Sequence, residues 1–376
     1  MQENPFIVKG YKSAAYFCDR ETETEALISN IGNGADTTLI SPRKYGKTGL
    51  ILHTFAEMER RRLAFETLYV DIFATLTLQD LTRTLAEAIL HRFPERTSIG
   101  KSFLNFLKSL HPALTYDPIS GAPQLQFSYG TPEEKEWTLK SLLEFLNTRE
   151  NPVVLAFDEF QQIAEYPEKK TEALLRTYTQ AMSNIRFIFC GSKKKLMAEM
   201  FTSAGRPFFS STKLLTLGPI DAGKYAEFIK GHFVRCGRSA EDEAVEWILN
   251  WTRRHTFYTQ TLCNEIFSAG GDATLARAKE AAKNLLDRQA DYFLQYRELL
   301  TRQQWLLLVA VAKEGSVSRL SSAAFLQKHG IGSVTNARRA AESLQEKELL
   351  LATETRERTE YQVYDVFLSR WLEREF

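Results

Sequence analysis

The chain has 376 residues, enough for two or three domains with real cores. Hydrophobic residues at 44% and charged residues at 25% are the balance of a globular protein and exclude wholesale disorder and fibrous repeats. With 48 Lys and Arg against 47 Asp and Glu, overall charge drives the chain toward neither DNA nor an anionic membrane, so any nucleic-acid contact has to come from a local patch.

The longest strongly apolar run, residues 305–312, falls far short of the ~20 residues that span a bilayer. The opening Met1-Gln2-Glu3-Asn4-Pro5 lacks the basic start and apolar stretch of a secretory signal. Cys18, Cys190, Cys236 and Cys263 are scattered with no C-x-x-C pair, which argues against a zinc knuckle or a disulfide framework. These features predict a reduced, cytoplasmic protein with no membrane partner.

In chain order, β-branched and apolar runs predict strands at residues 36–40, 66–71, 153–157, 185–190 and 213–217. Helix-period segments separate them, among them 46–61, 78–92 and 172–183. Such alternation implies a parallel sheet covered on both faces. Residues 111–130 interrupt it with proline and glycine, and read as an exposed hairpin or loop that turns at 117–121. After Gly218-Pro219 the pattern is helical, at 222–236, 240–253, 259–268 and 274–295. From Leu300 onward, short helices at 303–313, 322–329 and 333–347 precede strands at 349–352 and 360–364, the order of a helix-turn-helix with a wing. The expected domains are an α/β core over 1–217, an all-α lid over 218–297 and a winged helix over 298–376.

The sharpest local signal is Ser41-Pro42-Arg43-Lys44-Tyr45-Gly46-Lys47-Thr48-Gly49, which follows the first strand and opens a helix. Binding a phosphate chain needs a glycine where backbone N–H groups wrap the anion, a lysine that reaches the β/γ oxygens and a hydroxyl for Mg²⁺, all at a helix N-terminus. Gly46, Lys47 and Thr48 meet these demands, although Ser41 stands where the full motif has glycine. Val153-Val154-Leu155-Ala156-Phe157-Asp158-Glu159 reads as a buried strand with an acidic pair at its carboxyl end, where open α/β sheets bind ligands. Asp158 there can hold Mg²⁺, and Glu159 can orient or deprotonate an attacking water.

Other stretches join these. They are Phe17-Cys18-Asp19-Arg20-Glu21-Thr22-Glu23, Asp158-Glu159-Phe160-Gln161, and Tyr361-Gln362-Val363-Tyr364-Asp365-Val366-Phe367 running on to Trp371-Leu372. On these residues the chain resembles, over nearly its whole length, the archaeal-type P-loop ATPases of the AAA+/STAND superfamily that end in a winged helix. The resemblance implies a P-loop NTPase core with five parallel strands ordered 5-1-4-3-2. It implies ATP or ADP with Mg²⁺ as ligands, and an F-x-G-R-E-x-E segment, including Arg20, packed against the adenine. Asp19 replaces the glycine of that segment, and Val366 replaces a usual proline. Ile188-Phe189-Cys190-Gly191-Ser192 resembles the strand whose end senses the γ-phosphate, a role that falls to Ser192. Thr252-Arg253-Arg254-His255-Thr256-Phe257-Tyr258 resembles a G-G-H-P-x-Y lid start, with His255 leaning over the nucleotide and both glycines lost. Arg206 is the candidate arginine finger. Beside these readings stand blander ones: Ser192 as a helix cap, and Arg253 and Arg254 as a solvated pair beside a packed histidine.

In the winged helix, Asn336, Arg338 and Arg339 suit base or phosphate contacts, but residues 301–376 carry eleven Lys and Arg against ten Asp and Glu. The region therefore reads equally as a DNA module and as a domain that closes on the nucleotide or docks a protein. Three functions follow: an ATPase switching between lid-closed and lid-open states with Lys47 and Glu159 as its catalytic pair, a nucleotide-locked scaffold, and a DNA-binding regulator assembled by nucleotide. A protein partner or self-assembly fits any of them.

Overall fold

The computed structural model describes residues 3–110, 113–116, 123–127, 131–354 and 358–376. The chain forms two compact units, one of Lys9–Pro219 and one joining residues 3–8 to Ile220–Phe376.

In the first unit, strands β1 (Thr37–Ile40), β2 (Glu66–Asp71), β3 (Val153–Asp158), β4 (Ile185–Gly191) and β5 (Lys213–Thr216) form one parallel sheet in the order β2-β3-β4-β1-β5. Counted from the other edge this is 5-1-4-3-2, as expected. Every residue of β1 and β3 is buried, which is why both read as unbroken apolar runs. Alternate side chains of β3 and β4 feed two cores. Leu155, Phe157, Phe187 and Phe189 pack on one face with Leu81, Leu85, Leu139 and Leu142. Val154, Ala156, Ile188 and Cys190 pack on the other with helices α1 (Glu21–Gly32) and α2 (Lys47–Arg60). Edge strand β5 keeps Lys213 and Leu214 in solvent.

The insertion is a hairpin, with Ala113–Tyr116 antiparallel to Pro123–Gln126; its expected turn at 117–121 lies outside the described residues. It is not the exposed appendage its prolines suggested. Leu125 and Phe127 sink into the core beside the Leu78–Arg92 helix, where Leu125 N–H donates to Glu87 Oε1 (2.9 Å) and Gln79 Nε2 to the Phe127 carbonyl (3.2 Å).

The second unit runs through helices Ala222–Arg235, Asp242–Trp251, Thr256–Ser268 and Leu275–Leu299. Helices Arg302–Glu314, Ala323–Lys328 and Val334–Glu346 follow, then a hairpin of β6 (Leu350–Glu354) and β7 (Thr359–Val363) and a last helix, Val366–Glu375. Residues 3–8 join it unforeseen. Phe6 is buried against Phe233 and Phe267, while Asn4 and Asn264 exchange side-chain bonds with each other's neighbourhood, Asn4 to the Asn264 carbonyl and Asn264 to that of Phe6.

Candidate functional site

The register of the sheet decides which carboxylates meet. Asp71 ends β2 level with Asp158 at the end of β3, and Ile40 ends β1 level with Gly191 at the end of β4. The residues after these four strands therefore share one rim, where the phosphate loop leaves β1. Loop residues Lys44 and Gly46 both take positive φ, 63° and 91°. Helix α2 then starts at Lys47 with no side-chain cap and no acidic residue in its first turn, so its dipole and N–H groups suit an anion.

Within this rim Lys47 is buried, and its Nζ donates to the carbonyls of Ser41 and Pro42, both at 3.0 Å. Burial holds its pKa below the ordinary lysine value, against the opposing pull of Cys190, Glu159 and Asp158. Next to it, Thr48 Oγ1 donates to Asp158 Oδ2 at 2.5 Å, and Tyr69 OH donates to the same oxygen at 2.8 Å. The second oxygen of Asp158 accepts the Glu159 N–H at 2.9 Å. A hydroxyl and a carboxylate side by side are the hard oxygen donors that Mg²⁺ prefers, so Thr48 and Asp158 fit that ion.

Glu159 sits in the left-handed region (φ 55°), and its carboxylate meets Ser192, the residue after β4. Its Oε2 accepts from Gln161 Nε2 at 2.5 Å and from Ser192 Oγ at 2.7 Å. Gly191 leaves the room for this grip: a Cβ there would lie 2.3 Å from Gln161 Oε1 and 2.6 Å from Met197. Ser192 thus bonds Glu159, whereas the Lys194–Thr202 helix that follows has Lys193 at its cap position and no side-chain cap bond.

Two groups at the rim escaped the sequence reading. Tyr69 and Asp71 stand out only as ordinary strand residues until β2 pairs with β3. Asp71 then faces like charge: its pKa is raised, by burial first and by Asp158 and Glu159 next. A third group is the ring stack beside α2. Phe17 lies flat on His53 (4.3 Å, 21°), Tyr11 bonds His53 Nδ1 at 3.1 Å, and a Cβ on Gly49 would come within 3.3 Å of Phe17.

Other expected residues have different company. Arg20 is buried with φ 78°, and donates to Glu23 (2.8 Å) and to the Gly218 carbonyl (2.6 Å). Arg206 is held by Glu172 at 3.4 Å and Glu199 at 3.8 Å. His255 belongs to the second unit, buried with its ring 4.6 Å from that of Tyr258. The arginines before it are not a solvated pair. Arg253 Nη2 donates to Ser369 Oγ (2.8 Å) and Nη1 to the Val363 carbonyl (3.1 Å), and Arg254 reaches the Ile220 carbonyl at 3.4 Å. Both have positive φ, 56° and 54°, at the two places where the resembled motif has glycine; Asp19, the third replaced glycine, has φ 58°.

Comparison with solved structures gives the same architecture end to end. The Walker-type ATPase of Pyrococcus abyssi superposes with a TM-score of 0.68 at 17% identity, over 98% of this chain and 99% of that one. The ORC2 protein of Aeropyrum pernix, solved in ADPNP–ADP complexes, gives 0.60 at 14% identity over 98% and 96%. ORC1 of the same organism, solved in complex with DNA, gives 0.50 at 11% over 96% and 93%. This chain has the fold of a Walker-type ATPase. In that fold the C-terminal module is also matched by sequence, residues 291–374 fitting the family of probable winged helix domains. No curated protein sequence matches the chain. Among the described residues no helix is long and apolar enough to cross a membrane.

Proposed function

We propose that the chain binds ATP with Mg²⁺ at the rim of the parallel sheet and hydrolyses it, and that the nucleotide state switches its conformation. The observation that carries this reading is the convergence of Lys47, Thr48, Asp158, Glu159 and Ser192 on one rim. Loop residues Ser41 to Gly49 wrap the phosphate chain, with backbone N–H groups of Arg43, Lys44, Tyr45 and Gly46 and the Lys47 ammonium as donors. Lys47 exchanges the Ser41 and Pro42 carbonyls for phosphate oxygens, which offsets the burial of its ammonium. Thr48 and Asp158 would hold the Mg²⁺, which would supply positive charge to offset that of the phosphates. Glu159 takes the proton of the attacking water, and Ser192 reports the γ-phosphate by leaving Glu159 for it. Arg20 anchors the segment that carries Phe17 toward the adenine.

One observation favours a slower protein. Glu159 Oε2 accepts two hydrogen bonds, from Gln161 and Ser192, and while they hold, that oxygen is occupied and an attacking water has to displace one of them. A nucleotide-locked scaffold is the form this takes if the grip persists with ATP bound. The winged helix presents Asn336, Arg338 and Arg339 to solvent from a helix anchored by Ala337, Ala340 and Leu344, which suits duplex DNA or a protein partner.

The test is ATP and ADP binding with Mg²⁺, followed by phosphate release from the same sample. Release above the Lys47→Ala background, lost in Glu159→Gln with binding kept, supports the ATPase. Tight binding without release makes the protein a nucleotide-locked scaffold. Failure of wild type to bind either nucleotide overturns the proposal.

A further inference from the structure

Helices Asp242–Trp251, Leu275–Leu299 and Val366–Glu375 of the second unit line an open pocket of about 340 Å³, the size of a small-ligand site. Its lining differs from a gap left between poorly packed helices. Trp247 and Trp251, one turn apart, stack at 5.6 Å and 22° and are only half-buried. Lys279 and Lys283, also one turn apart, line it from the long helix; both are exposed and, among the described residues, have no ion pair or hydrogen bond.

The remaining charges are already answered. Arg370 donates to the Trp251 carbonyl at 3.0 Å and to Glu373 at 2.8 Å, with its guanidinium 6.0 Å from the Trp251 ring, and Arg374 pairs with Asp287 at 2.8 Å. Glu373, the acid in the lining, is thus taken, and two ammonium groups are left beside the half-buried Trp247–Trp251 stack, of which Trp251 also meets Phe367 at 5.7 Å. Tryptophans serving the core alone would be covered, and lysines serving solubility alone would not border a pocket. Rings and cations together complement a flat ring joined to anions.

We propose that this pocket binds single-stranded nucleic acid, with a base stacked on the Trp247–Trp251 pair and the adjoining phosphates on Lys279 and Lys283. The lysines, about 5–6 Å apart at Cβ by helix geometry, spread charge along a line as successive phosphates do. Duplex DNA hides the ring faces of its bases and cannot make the stack, whereas every base of a single strand offers one. The site lies wholly in the second unit and does not depend on the ATPase reading.

The experiment is fluorescence anisotropy of a labelled oligothymidylate of ~12 nucleotides, titrated with the full chain carrying Lys47→Ala so that the phosphate loop does not compete. Binding should fall linearly in log–log form between about 50 and 200 mM salt. Trp247→Ala should weaken it by about 5- to 100-fold, the range of base–aromatic stacking, while Trp247→Phe keeps most of it. Lys279→Glu with Lys283→Glu, at exposed positions that leave the melting temperature unchanged, should weaken binding and flatten the salt slope by about 1.4. Loss of binding in Arg338→Glu with Arg339→Glu, while the Trp247 and lysine variants still bind, places the strand on the winged helix and overturns the proposal. Absence of binding at low salt, binding insensitive to Trp247 and the lysine pair, or equal binding of a duplex overturns the proposal. Displacement by thymidine 5′-monophosphate at the oligonucleotide's own concentration also overturns it, and points to a free nucleotide instead.

Discussion

Lys47 in the phosphate loop and Arg253 in the second unit are both cations set against backbone carbonyls, and they differ in what those carbonyls belong to. Lys47 is held by Ser41 and Pro42, residues of its own loop, and burial lowers its pKa. Arg253 ties the turn before the Thr256–Ser268 helix to Val363 at the end of β7 and to Ser369 of the last helix, and it does so from a backbone conformation that disfavours any side chain. The first arrangement costs stability and can be given up to a ligand; the second connects distant parts of one unit. The glycines follow the same division. Gly46, where the proposed function brings a phosphate chain to the backbone, is kept; Asp19, Arg253 and Arg254 stand where the resembled motifs have glycine and take only a positive φ, which a side chain reaches at a cost of about 1 kcal/mol or more.

The widest separation between the two cations should come from removing each. Lys47→Ala is expected to reduce ATP affinity by at least ~100-fold, as the desolvated charge on the phosphates is lost. It should leave the ligand-free melting temperature equal or higher, because a desolvated ammonium disappears with it. A large drop in melting temperature would mean that Lys47 is structural. Arg253→Ala is expected to do the reverse, destabilising by about 2–3 kcal/mol as charge-assisted bonds to Val363 and Ser369 vanish, with ATP affinity kept. Arg253→Gly sharpens the contrast: it relieves the positive φ and should lose about 1 kcal/mol less, and equal losses in urea unfolding would show that the backbone carries no strain there.

Asp36, at the foot of β1, gives a smaller effect that depends on pH. Its carboxylate accepts the Phe187 N–H at 2.8 Å, yet burial raises its pKa from 3.8 to about 6. Folding therefore favours the protonated form. The contribution of Asp36 to stability is greatest below pH ~4, falls as pH rises to about 6 and is flat above that. Asp36→Asn, which keeps an oxygen for Phe187, should be neutral at pH 4 and more stable by about 2 kcal/mol at pH 7, the two-unit displacement discounted for remaining solvent. Parallel stability curves for the two proteins would refute the assignment. The least effect is expected of Tyr69→Phe, which removes one of the bonds to Asp158 and should change turnover a few-fold with binding intact.

What could be read in the chain was whatever is written in neighbouring residues. Strand and helix periods, the G-K-T at a helix start, and the buried run ending in Asp158 and Glu159 are local patterns, and the alternation of strands and helices already implied a parallel sheet with its ligand at the carboxyl ends. The hairpin over 111–130 shows the limit: its prolines speak for exposure, but Leu125 and Phe127 find a core built from helices elsewhere in the chain. The grip of Gln161 and Ser192 on Glu159, the bond from Tyr69 to Asp158, the seat of Phe6 and the placing of Trp247 and Lys279 around one pocket could be decided only by the tertiary structure. Each joins residues through strand pairing or helix packing, and a sequence period tells which face of an element is buried without telling what that face meets.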